Sequence, residues 1–341
     1  MDSRDRVVEA LGGKVGDRSV AGAWGHIFER EWSARTLAQA TVERARNYGW
    51  DFVKLQPRST CYAEAFGGRW KPSGSATIAP ILVESAVPNE GSWERVKLVN
   101  SAALEEQAQA LGLVNRELGD RVPVIQTVFS PISVANYMIG HNRSEVVRQL
   151  RNHPERVLTG LEAVAEALIT FARQSLNSGA AGIFYAVSGF ATPDLISSED
   201  YRRWLLPLDR YILESLSADA WFNVLHLCGG ETYLDLAAQL PVQVISYSIH
   251  DSGNPALGEA RQLTGKAVMG GIDQRKLLIE GPVGAISQQV RAAIDETDGG
   301  QGLLLAPSCS VPPEVPEAHW RAMMPGEPSA VATRTGPERP R

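Results

Sequence analysis

A chain of 341 residues with 44% hydrophobic and 21% charged residues has an ordinary globular composition and enough apolar side chains for a large core. Its formal net charge of -6 argues against a nucleic-acid binder, because phosphate recognition needs a basic face. Three cysteines, an odd number, make no disulfide framework. The charged start Met1–Ala10 lacks the apolar centre of a secretory signal, and no window approaches the roughly 18 apolar residues of a membrane span. A cytoplasmic protein that binds neither nucleic acid nor membrane is expected.

In chain order, residues 1–19 read as a helical extension. Eight short apolar runs follow: Val20–Gly25, Asp51–Leu55, Val122–Phe129, Ala181–Val187, Ala220–His226, Val242–Ser248, Ala267–Ile272 and Gly302–Ala306. Between them lie segments of helical period, among them Ala34–Tyr48, Trp93–Leu118, Pro154–Ser178, Ser198–Leu216, Glu231–Gln239 and Val283–Thr297. The runs are rich in Val, Ile and Leu without strict alternation, which predicts parallel strands buried on both faces. Eight such units predict a single (β/α)8 barrel over 20–324, with its chemistry at the C-terminal ends of the strands. The long segment Gln56–Val87 carries Gly67-Gly68 and Pro72-Ser-Gly74, which predicts a small hairpin or lid after the second strand. The proline-rich stretch 325–341 has no apolar period and is expected to be a disordered tail.

Chemistry concentrates in His226-Leu-Cys228-Gly229-Gly230, at the end of the fifth run, and in Pro307-Ser-Cys309-Ser-Val-Pro-Pro313, just past the eighth. One imidazole and two thiols at the same barrel face form a three-ligand set for zinc, with the fourth position open; soft donors favour Zn2+ over Mg2+ or Ca2+. Two sulfurs make such a metal a weaker Lewis acid than a three-histidine set, so the expected task is activation of a thiol rather than of water. Against this stands the plain reading of two buried small side chains and a satisfied core histidine, which is weak once all three donors share one face.

With these residues in place, the chain resembles the uroporphyrinogen decarboxylase superfamily over most of 20–324, and within it the zinc methyltransferase branch that includes the methylcobamide:coenzyme M methyltransferases. The resemblance is carried by Leu225-His-Leu-Cys-Gly229, Gly265-Lys-Ala-Val-Met-Gly-Gly-Ile-Asp273 and Leu304-Leu-Ala-Pro-Ser-Cys-Ser-Val-Pro-Pro-Glu-Val-Pro316. It implies Zn2+ on His226, Cys228 and Cys309, methyl transfer to a small thiol, and a methylated corrinoid on a partner protein as donor. Superfamily members are often dimers, so a homodimer is an open option. Through Phe129-Ser-Pro-Ile-Ser-Val-Ala-Asn-Tyr137 the resemblance also puts Tyr137 in the pocket. Two decarboxylase hallmarks are missing: Trp24-Gly-His-Ile-Phe-Glu-Arg30 lacks the arginine-rich porphyrinogen motif, and Lys54-Leu-Gln-Pro-Arg-Ser-Thr60 lacks the aspartate that faces the pyrroles. A decarboxylase or lyase acting on another small acidic substrate is the alternative.

Further pocket candidates are His26 after the first strand, Glu64 as a base or provisional fourth ligand, and Arg58, Tyr62 and Asp273 as substrate-binding groups. Arg58 also has a structural reading as an ordinary ion pair, and Glu64 as a surface or hydrogen-bonding acid. His250 and Asp251 are candidates for orienting a metal ligand. Cys61 is read as buried and inert, and His141, His153 and His319 as solvated.

Overall fold

A computed structural model describes residues 1–326. All but the first two residues of the expected tail lie outside that range. The strands are β1 (Val20–Ala21), β2 (Val53–Leu55), β3 (Arg69–Lys71), β4 (Ile81–Glu84), β5 (Val124–Phe129), β6 (Gly182–Val187), β7 (Val224–Leu227), β8 (Val244–Ser246), β9 (Ala267–Ile272) and β10 (Leu303–Pro307). Eight of them pair in the order β1-β10-β9-β8-β7-β6-β5-β2. Every ladder in this sheet is parallel, and helices lie between successive strands. This is the (β/α)8 barrel that the eight apolar runs predict. Every residue of β5, β6 and β9 is buried, which explains why these runs lack alternation.

The ladder has one gap, between β1 and β2, bridged by a single backbone bond from Asp51 N to Ala21 O at 2.8 Å. Side chains complete the closure. Asp51 is fully buried, and its carboxylate accepts from Ala21 N at 3.0 Å, from Arg18 at 2.5 and 2.8 Å, and from Arg6 at 3.1 Å. Arg6 belongs to the first helix, Ser3–Leu11, so the N-terminal extension latches the seam.

Local chemistry sets the element ends. Ser33 caps the helix Ala34–Tyr48 through Thr36 N at 3.2 Å, and Gly49, at φ 65°, ends it. The expected helix Trp93–Leu118 is divided. Trp93 is buried, donates from Nε1 to Gln149 at 2.6 Å, and packs so tightly over Gly160 that a Cβ there would meet the indole at 2.7 Å. That anchor holds Glu90–Arg95 as a short 3-10 turn, and the α-helix begins at Ala102. Strands β3 and β4 pair antiparallel as the hairpin foreseen after the second strand. Among the described residues no helix is long and apolar enough to cross a membrane.

Candidate metal centre and its cavity

Strand β7 ends in His226-Leu227, and Gly229, at φ 103°, turns the chain immediately after Cys228. Cys309 follows β10, three strands away along the sheet. Curling of the sheet brings the three donors together: His226 Nε2 lies 3.0 Å from Cys228 Sγ, Cys228 Sγ lies 3.8 Å from Cys309 Sγ, and the donor atoms all fall within 4.8 Å of one another. Ser246, on neighbouring β8, meets His226 Nδ1 at 3.0 Å. That contact fixes the ring and turns Nε2 towards the sulfurs, a task the sequence reading gave to His250 and Asp251. Instead, His250 Nε2 reaches Gly271 O at 3.2 Å, and Asp251 pairs with Arg275 at 2.7 Å.

The two thiols cannot hold two protons independently in this space. Hydrogen bonds from Cys228 and His226 hold Cys309 well below the usual thiol range, while the neighbouring Cys309 sulfur and burial push Cys228 up. Of the two, Cys309 is the readier to give up its proton.

The three donors open into a cavity of about 290 Å³ whose walls include Trp24, Phe129, Tyr137, Phe184 and Lys54. A second space of about 320 Å³ adjoins it under the β3–β4 hairpin, lined by Phe28, Trp70, Pro80 and Leu82. His26, Ser59, Tyr137 and His141 border both, so the hairpin roofs the approach to the donors. Tyr137 stacks on Phe129 with ring centroids 5.7 Å apart, and burial pushes its phenol up to about 12. It stays a neutral donor at physiological pH. His141, expected to be solvated, stands exposed at the mouth with φ 70° and packs edge-on to Tyr137.

Of the residues singled out by sequence, His26, Tyr137, His226, Cys228 and Cys309 meet at this cavity. Arg58, Tyr62, Glu64 and Asp273 are not among its walls. Arg58 and Glu64 neutralise each other at 2.9 and 3.1 Å, and Arg58 also pairs with Glu106 at 2.6 Å. Their charges are spent on fastening the loop after β2. Tyr62 is fully buried and donates to Thr127 O at 2.7 Å. Asp273 accepts from the backbone of Arg275 and Lys276 at 2.9 and 3.2 Å, capping its own turn. Cys61 sits in the core, where burial pushes its thiol up.

Other cavity residues escaped the sequence reading. Lys54 projects from β2 into the barrel, buried, over the rings of Phe184 and Trp24 at 4.9 and 5.6 Å, with Gln56 as its hydrogen-bond acceptor. Burial lowers its ammonium to about 7. A lone cation inside Phe52-Val-Lys-Leu55 was the available signal. Asn136 is 2% exposed, and among the described residues its Oδ1 has no hydrogen-bond partner although it borders the cavity. An orphaned buried acceptor is costly, so a polar substrate group is a natural partner for it.

Comparison with known proteins gives the class. The sequence profile of uroporphyrinogen decarboxylase (URO-D) matches residues 19–325, and the chain belongs to that family. Its relatives divide by activity. A uroporphyrinogen decarboxylase of Syntrophotalea carbinolica is 29% identical over 61% of this chain, a match that spans 60% of that protein's length. The methylcobamide:CoM methyltransferase MtaA of Methanosarcina barkeri is 24% identical over 89% of this chain and 86% of its own. Among solved structures, a methyltransferase from Methanosarcina mazei superposes with a TM-score of 0.79 at 20% identity, covering 95% of this chain and 97% of that one. The likeness to the methyltransferases thus extends along more of the chain than the likeness to the decarboxylase.

Proposed function

We propose that this protein transfers a methyl group to the sulfur of a small thiol, using zinc held by His226, Cys228 and Cys309 and a methylated corrinoid carried by a partner protein. The observation that carries the reading is the convergence of these three donors at the end of an open cavity. Their spacing fits the metal: tetrahedral coordination with Zn–S near 2.3 Å separates two sulfurs by about 3.8 Å, which is the 3.8 Å found here. The imidazole–thiol pair, at 3.0 Å, needs to open by only about 0.5 Å to reach the same geometry.

His226, Cys228 and Cys309 would hold the zinc, whose chemistry there would be to lower the proton affinity of a bound thiol and so make it a nucleophile at neutral pH. The chain's own residues do the rest. Ser246 holds the His226 ring in its liganding orientation, and Cys309, already low in proton affinity, offers a thiolate without waiting for base. The aromatic walls Trp24, Phe129 and Phe184 keep water from the sulfur. Lys54, brought down to about 7 by burial, is drawn back towards its charged form by thiolate at Cys309 and Cys228 and so can balance a thiolate-rich centre.

Purified protein is expected to hold one zinc per chain and to methylate 2-mercaptoethanesulfonate or another small thiol from methylcobalamin. Cys309→Ala should lose both metal and transfer. Protein without stoichiometric zinc, or a Cys309→Ala variant that keeps metal and activity, overturns the reading. A decarboxylase acting on a small acid is the second reading, favoured by the buried Lys54 cation in the cavity. Activity that survives complete chelation would select it.

A further inference from the structure

The loop after β1 doubles back through a 3-10 turn, Phe28–Arg30, and brings Glu31 under His26. His26 Nδ1 lies 2.8 and 3.0 Å from the two Glu31 oxygens, and Ile27 N donates to Glu31 at 2.8 Å. Glu31 is 1% exposed, and among the described residues His26 is its only ion-pair partner. A carboxylate buried this deeply is costly unless something gains from it.

The other ring nitrogen faces the cavity. His26 Nε2 lies 2.9 Å from the Gln56 amide nitrogen and 3.3 Å from Ser59 Oγ, both of which can donate. These partners set the tautomer: the proton sits on Nδ1 towards Glu31, and Nε2 is an acceptor. Gln56 Oε1 in turn accepts from Lys54 and, at 3.4 Å, from Ser310, the residue next to Cys309. A continuous hydrogen-bonded line therefore runs from Glu31 through His26 and Gln56 to the loop that carries the third donor.

We infer that the Glu31–His26 dyad is the acceptor of the proton that an entering thiol gives up. The S–H bond breaks, its electron pair stays on sulfur, and the proton passes to His26 Nε2, displacing the Gln56 donor. The Nδ1 proton stays between the ring and Glu31, whose charge balances the imidazolium. Once the sulfur is methylated, His26 returns its proton to solvent. This inference rests on the thiol-activating reading of the cavity. The other charged or titratable groups around the dyad are Arg44 and Arg58 beside Glu31, and Lys54, Tyr137, His141, Arg143, Arg275 and the two thiols around the cavity. Of these, Lys54 shares Gln56 with His26, Tyr137 shares Ser59 with it, and Arg58 donates to the Glu31 carbonyl oxygen.

The test counts protons. Zinc-loaded protein is titrated with 2-mercaptoethanol in weak buffer containing a pH indicator, with metal content measured on each sample. At about pH 7.5 the wild-type protein should release well under one proton per thiol bound, and His26→Gln about one. Thiol affinity of His26→Gln should rise about tenfold per pH unit between about pH 6 and 8, where the wild-type response is flatter. Glu31→Gln, which keeps the hydrogen bond and removes the charge, should shift the count towards that of His26→Gln with zinc retained. A full proton released by the wild-type protein overturns the dyad whatever the variants do, as does an identical pH slope in all three. Absence of zinc or of thiol binding in the wild-type protein removes the parent reading as well, so the two failures are distinguishable.

Discussion

At the scale of single residues, the donors are set by what stands behind them. Ser246 is buried on β8 and fixes His226 through Nδ1, so Ser246→Ala should weaken metal binding by about 10- to 100-fold without unfolding the protein, as a chelator competition would read out. Lys54 gives a pH signature. Its proton affinity falls from 10.5 in a flexible chain to about 7 in the folded one, so between these values the unfolded state binds the proton that the native state lacks. Stability of the metal-free protein should therefore rise with pH across that window, and Lys54→Met should abolish the rise, as denaturant midpoints at both ends would show. His226, Cys228 and Cys309 were legible because each sits beside a strand end, a local feature that Gly and Pro mark in the sequence. Glu31 and Ser246 were not: one reaches His26 only through a tight turn, the other reaches His226 only across a β-ladder.

At the scale of elements, the barrel strands were legible because burial on both faces writes unbroken apolar runs. Their ends were not, since residues such as Ala220 and Trp221 are apolar for packing reasons yet precede β7. Charge buried between elements was equally hidden. Asp209, on the helix Leu206–Glu214, accepts from Tyr185 of β6 at 2.6 Å and from Tyr201 at 2.5 Å, where the preceding helical turn widens to π geometry. Burial raises its carboxyl from 3.8 to about 6, the two tyrosines opposing the shift. A carboxyl raised in the native state holds a proton the unfolded chain has lost, so stability should fall as pH climbs from 3.8 to about 6. Asp209→Asn should flatten that decline, which urea midpoints taken across the window would reveal. A slope unchanged in the variant would assign it to other groups.

At the scale of the molecule, the barrel depends on one carboxylate. Removing the Asp51 charge leaves Arg18 at the seam without its counter-ion and Arg6 with Asp17 alone, a change expected to cost about 3 kcal/mol and measurable as a lower urea midpoint for Asp51→Asn. Nothing in the sequence run Tyr48-Gly-Trp-Asp51 marks this aspartate as a keystone; its partners lie 33 and 45 residues away and meet it only when the sheet curls.

The position of that seam has a kinetic consequence. His26 follows β1 and Gln56 follows β2, so two adjoining members of the hydrogen-bonded line stand on opposite banks of the one gap in the ladder. Amides flanking the gap should exchange with deuterium ahead of those in β5 through β9. An opening across the seam would part His26 from Gln56, and the exchange rate of those amides should then report how often that hydrogen bond breaks.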